Sequence, residues 1–390
     1  MKKIFSIILI SVLTQGLIAK EVNVYTSRHY DSDDALYQEF TNETGIQVNI
    51  ISGKCSALLE RLKFEGTNSP ADIFFTVDAG NLWKVQKEGL FQPIKSTKVL
   101  SKVPINLRGP NNEWTAVAKR SRVFFYNPKK VSADEIKNIS YESLANDNWR
   151  DRIVIRSSNN MYNQSLVASL IAKNGEKETE AWARALVRNL ARKPQGNDRA
   201  QIMAVANGEA DLAVANSYYI GIMLSGNAGI DQLNAAKKVK MTFPNQKTSG
   251  AHVNISGAGI LKNAPNPENA NLFMEFLLSD KVQEIMVKKS YEYPIADVPL
   301  SSEMASLGVD FKEDNSSVKR FGELNPAAIK LMDRAGWKYP TLKKVINNVY
   351  LEVITFRCGN YNYCSNNNCL FEFIWYLFGY LESPNRICFS

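Results

Sequence analysis

The chain has 390 residues, 45% hydrophobic and 22% charged, which is globular composition and excludes a disordered or collagen-like polymer. Its 47 Lys and Arg against 39 Asp and Glu give a net charge of +8 with no dense basic run, so nothing singles out nucleic acid as a partner. Only two histidines occur, His29 and His252, which excludes a multi-histidine zinc site and leaves few ways to build a histidine-dependent triad.

The chain opens with Met1-Lys2-Lys3, an apolar run from Ile4 to Leu13, and Ala19 before Lys20. A basic start, a short apolar stretch and a small residue predict a signal peptide over 1–19. The run is shorter than the ~20 residues a membrane span needs, which argues against an uncleaved anchor. Export places the protein in an oxidising space. Even so, Cys55 stands alone in the first 357 residues, so disulfides are not the framework of the body.

Alternation predicts a strand over 22–26, and Asp31-Ser32-Asp33 then opens a helix through Phe40. Further strands are expected over 46–51 and 72–76, with helices over 57–63 and 82–87. A long β segment covers 114–127, and Ile153-Val154-Ile155 reads as a buried strand followed by a helix through Leu166 and Leu170. Helices follow over 181–190 and 199–206, the second ending at Asn207-Gly208. A strand over 211–215 leads into a helix from Ile220, and 253–261 returns to strand. Helices over 269–278, 281–288 and 327–336 complete the pattern. Strands alternating with helices predict an α/β fold of two units, each with a mostly parallel sheet. The chain crosses between the units near 115–126 and again near 251–261.

The last forty residues hold no lysine, ten aromatics and four of the five cysteines. A small disulfide knot, a membrane-surface hairpin and a frameshift or read-through tail are the readings of this segment, and the last is preferred because nothing upstream prepares for it.

No nucleophile elbow, phosphate loop or paired-cysteine metal motif occurs. What stands out is tyrosine at strand-to-helix junctions: His29-Tyr30 after the first strand, Tyr162 after 153–155, and Tyr218-Tyr219 after 211–215. In open α/β sheets, ligands bind beyond the carboxyl ends of strands. A phenol has a pKa near ~10, so it binds a metal well only when a strongly charged cation favours the phenolate. Ferric iron, small and hard, is such a cation, whereas zinc or copper recruits Cys or more His. A cleft that stacks an amine or a sugar on aromatic walls uses the same residue type. Singly, each tyrosine is equally a packing residue at a loop edge. Arg120 and Arg122 at the first crossing are either solvated or turned toward the cleft. His252, in Gly250-Ala251-His252-Val253-Asn254, reads as structural.

Val24-Tyr25-Thr26-Ser27-Arg28-His29-Tyr30, Pro70 to Gly80, Ser121-Arg122-Val123-Phe124-Phe125-Tyr126-Asn127, Asn216-Ser217-Tyr218-Tyr219 and His252 to Gly257 resemble, in order and spacing, the bacterial periplasmic ferric-ion-binding proteins. These are the soluble receptors of ABC iron importers, and the likeness spans roughly residues 21 to 340. The resemblance implies a two-lobed periplasmic binding protein fold of type II. One lobe is expected over 20–118 and 252–300, the other over 119–251 and 301–350, with 351–390 as an atypical tail. It further implies a non-catalytic monomer in the periplasm that holds ferric iron between the lobes and delivers it to an inner-membrane permease with its ATPase. Tyr218 and Tyr219 map onto ligands shared by the family, and Tyr30, Tyr162 and His29 onto the branch that completes the shell without an external anion. Arg122 takes the place of an arginine that supports the shell or holds an anion such as carbonate. The alternative is a receptor for an amine or thiamine-like solute with the tyrosines as stacking walls.

Overall fold

The computed structural model describes residues 20–28, 30, 33–308 and 310–338. The expected signal peptide, His29 and the 351–390 tail lie outside the described residues.

Among the described residues, nine strands form one sheet. They are β1 (Glu21–Thr26), β2 (Gln47–Ser52), β3 (Ile73–Val77), β4 (Thr115–Tyr126), β5 (Ile153–Val154), β6 (Leu212–Asn216), β7 (Lys240–Thr242), β8 (Val253–Ile260) and β9 (Tyr293–Pro294). The order is β2-β1-β3-β8-β4-β6-β5, with β7 and β9 also on β4. Parallel pairing holds for β1–β2, β1–β3 and β5–β6, where one or more helices make each return crossing. The expected mostly parallel sheets are thus mixed, because β8 runs antiparallel to both β3 and β4, and β4 antiparallel to β6.

β4 is the strand that joins the two groups. Its first half, Thr115 to Ser121, pairs with β8, and its second half, Arg122 to Tyr126, pairs with β6. Apolar residues on successive positions serve both faces of a sheet covered on both sides. Phe124 packs into the main core, its ring edge-on to Tyr141 at 5.5 Å, while Val123 and Phe125 join a second core with Ile202, Val205, Ala213 and Ala215. That second core also contains Tyr162, Tyr218 and Tyr219.

Several contacts knit the crossing region. The Tyr141 hydroxyl, itself buried, accepts a hydrogen bond from the His252 backbone N–H at 3.0 Å and donates at 2.5 Å to the Arg122 carbonyl. Asp78, at φ 77°, caps the helix Ala79–Lys87 through Gly80 N–H, and also accepts from Ser165 Oγ at 2.6 Å and Asn254 Nδ2 at 3.0 Å. The helix Lys319–Glu323 approaches Ala79–Lys87 so closely that a Cβ on Gly322 would lie 2.1 Å from Trp83 Cβ. Trp337, fully buried, donates from Nε1 to the Arg156 carbonyl at 2.9 Å and anchors the last described turn.

Candidate metal centre

Tyr162 is the second residue of the helix Met161–Asn174, whose Asn160 cap accepts from the Tyr162 N–H at 3.1 Å. Tyr218 and Tyr219 are the first two residues of Tyr218–Leu224, directly after β6 and Ser217. Tyr30 follows β1, and its carbonyl accepts from the first N–H of the helix Asp33–Thr44 at 3.0 Å. Each phenol therefore leaves the carboxyl end of a strand, as the junction pattern predicts.

The four converge. The Tyr162 and Tyr218 hydroxyl oxygens lie 3.4 Å apart. The Tyr30 ring meets Tyr218 edge-on at 5.8 Å, and the Tyr218 and Tyr219 rings lie 4.2 Å apart. Neighbours in sequence can face one target here because they sit at the helix start rather than inside it. Tyr218 is fully buried, Tyr162 and Tyr219 nearly so, and Tyr30 partly. Burial pushes the Tyr30, Tyr218 and Tyr219 phenols well above their ordinary range, and the neighbouring phenols add to the shift. In the metal-free protein these three stay protonated through the physiological range. Among the described residues, no three His, Cys, Asp or Glu side chains come together as a metal site.

Four arginines surround the phenols. The Arg28 guanidinium lies 4.5 Å over the Tyr30 ring, and those of Arg120, Arg156 and Arg122 lie 5.4, 5.5 and 6.0 Å over Tyr162. Arg28 grips Asp33 in a two-pronged pair, Nε to Oδ2 at 2.6 Å and Nη2 to Oδ1 at 3.0 Å. Arg122 donates from Nη1 to Asp198 at 2.5 Å and Asn216 at 3.2 Å, and from Nη2 to Asn163 at 2.7 Å. Asp78, Arg120, Arg122, Asn216, His252 and Asn254 line a narrow polar pocket against Tyr162. In that pocket Arg120 Nη2, Asn216 Nδ2 and His252 Nδ1 are buried with no hydrogen-bond partner. The sequence reading singled out Arg122 and passed over Arg28, Arg156, Asp198 and Glu292. Only Arg28 carried a local signal, its place two residues before Tyr30.

Neutral phenols that become phenolates supply hard anionic oxygen, and the buried guanidiniums offset the negative charge four of them would gather around a trivalent cation. A family model for bacterial extracellular solute-binding proteins matches residues 68–315. The chain belongs to that family, and its fold is the two-lobed α/β fold of periplasmic binding proteins. Its relatives include Iron uptake protein A1 of Synechocystis, 49% identical over 82% of this chain and 88% of that protein. A Trichodesmium protein solved in complex with iron and citrate is 51% identical over 82% of this chain and all of its own, with a TM-score of 0.78. The ferric binding protein of Campylobacter jejuni is 39% identical over 81% of this chain and all of its own, with a TM-score of 0.76. The resemblance seen in the sequence motifs is borne out at the level of family and fold.

Proposed function

We propose that this protein is a periplasmic receptor that binds ferric iron through the phenolates of Tyr30, Tyr162, Tyr218 and Tyr219 and delivers it to an ABC-type inner-membrane permease and its ATPase. The observation that carries this reading is the convergence of four phenols, from three strand ends, in a setting of buried guanidiniums. His29 stands next to Tyr30 in sequence and is the fifth candidate ligand. The expected lobes, 20–118 with 252–300 and 119–251 with 301–350, place Tyr30 on one side of β4 and the other three tyrosines across it. The receptor works as a monomer and performs no catalysis; its work is holding iron and releasing it on docking. If an anion such as carbonate joins the shell, Arg120 Nη2, Arg122 Nε and Asn216 Nδ2 are the buried donors with a bond to give, while both terminal nitrogens of Arg122 are engaged. The amine-receptor alternative is disfavoured by charge. The carboxylates whose charge reaches the phenols, Glu292 at Tyr30 and Asp198 at Tyr219, are paired with Arg28 and Arg120 and with Arg122 and Arg156, and would not greet a cationic organic ligand.

The test is a visible titration of the purified chain with ferric citrate. Phenolate on ferric iron gives a charge-transfer colour. A band saturating at one iron per chain and weakening in Tyr218→Phe is the expected result. A folded protein that stays colourless overturns the reading.

A further inference from the structure

We propose that Glu292 is a positioning residue for iron binding: by holding Arg28 and Arg120 together it fixes the two guanidiniums that brace Tyr30 and Tyr162. The inference rests on the reading of the tyrosines as ferric ligands and deepens it.

Glu292 follows Tyr291, which ends the helix Asp280–Ser290 in the left-handed conformation at φ 61°. A non-glycine residue there is uncommon, and the turn sends the next side chain inward. The Glu292 side chain has no exposed surface. Its Oε2 accepts from Arg28 Nη1 at 3.2 Å, and its Oε1 accepts from Ser256 Oγ at 2.6 Å and Arg120 Nη1 at 3.4 Å. One carboxylate thus joins the loop after β1, the middle of β4 and the middle of β8.

Burial alone would disfavour its charge, but Arg28 and Arg120 hold the Glu292 carboxyl below the usual carboxylate range. The two arginines are also the ones that cover different phenols: Arg28 lies over Tyr30 and Arg120 over Tyr162. Without the carboxylate, Asp33 still holds Arg28 and Ser256 Oγ still accepts from Arg120 Nη1 at 3.0 Å, but the two buried guanidiniums lose the anion they share. They would be driven apart, off the rings they cover. Ligand side chains held only by their own rotamers bind a metal less tightly than ligands held by supporting contacts. Glu292 also tempers the positive field on both rings, so its charge acts on the phenolate electrons that give the iron complex its colour.

The full-length protein and its Glu292→Gln, Glu292→Asp and Glu292→Gln/Arg120→Gln variants are each titrated with ferric citrate. Each is read for the visible band and for affinity, and melted without iron. In Glu292→Gln the affinity is expected to fall by about tenfold or more, in the range for loss of a supporting partner. Its band moves, because the guanidiniums lie against the donor rings, and Glu292→Asp recovers part of both effects. The double variant, balanced in charge, keeps a shifted band because Tyr162 has still lost Arg120. It decides the matter if Glu292→Gln alone does not fold. A folded Glu292→Gln with wild-type band and affinity, or a double variant restored to both, overturns the proposal. A colourless wild type removes the underlying reading, and this inference with it, before any Glu292 variant is compared.

Discussion

Tyr218→Phe deletes one oxygen and keeps the ring that packs on Tyr30 and Tyr219. The chain should therefore fold and melt as before, while ferric affinity drops by more than the roughly 10–100-fold that loss of an outer partner costs. Tyr219→Phe should behave alike. Competition with citrate measures both, and tight binding retained in the double variant would refute the assignment. Because Tyr30, Tyr218 and Tyr219 are held protonated, ferric iron must displace their protons. Apparent affinity should thus rise with pH, about tenfold per pH unit for each proton released, and an affinity flat from pH 6 to 8 would contradict it. His252 behaves differently. Burial pushes its imidazole down to about 3 from 6.5, so the unfolded chain takes up a proton that the folded chain refuses. Stability is complete above pH 6.5 and falls by about 1.4 kcal/mol per pH unit below it, until about pH 3 is reached. Urea melts at pH 7 and 5 should show this slope in the wild type and a shallower one in His252→Asn. The tyrosines were legible because each follows a strand and opens a helix. Glu292 was not, since it reaches Arg28 across 264 positions of sequence and no local pattern announces such a partner.

At the scale of elements, the helix Tyr218–Leu224 owes its placement to a residue with no side chain. A Cβ on Gly221 would lie 2.6 Å from the Tyr291 ring. Gly221→Ala should push the helix off Tyr291, cost about 1–3 kcal/mol as overpacking does, and weaken iron binding because both tyrosines move with the helix. A denaturation curve and a citrate competition on that variant check the two effects, and an unchanged pair would show that Tyr291 yields freely. Long elements with clear periodicity, such as β4 and Met161–Asn174, stood out in the sequence. Thr97–Lys102, Ala133–Ile136 and Ser302–Ala305 did not, since helices of fewer than two turns have too few residues to show a period. β7 and β9 are likewise too short to alternate. The antiparallel pairing of β8 was hidden for another reason: strand direction depends on which neighbour the chain returns to, and alternation within a strand is silent about it.

For the molecule as a whole, a ligand that binds only the folded chain stabilises it by mass action. At free ferric iron about a thousandfold above the dissociation constant, the gain is about 4.1 kcal/mol. A thermal scan should show the melting point rising with iron in the wild type and hardly at all in Tyr218→Phe/Tyr219→Phe. Equal rises in both would mean that iron binds elsewhere.

The passage of β4 from β8 to β6 has a bearing on how this protein can change through descent. Six residues apart on one strand, Arg120 serves the phenols and Tyr126 closes the pairing with Leu212. A strand presents alternate faces, so one residue added or lost between them would turn every later side chain over. Phe124 would leave Tyr141, and Arg122 would leave Asp198, in a single event. Length variation is therefore costly in this stretch unless a bulge absorbs it, as the register shift between Ala116 and Ala118 does earlier on the same strand, and its lineage explores new properties there most readily by exchanging one side chain for another.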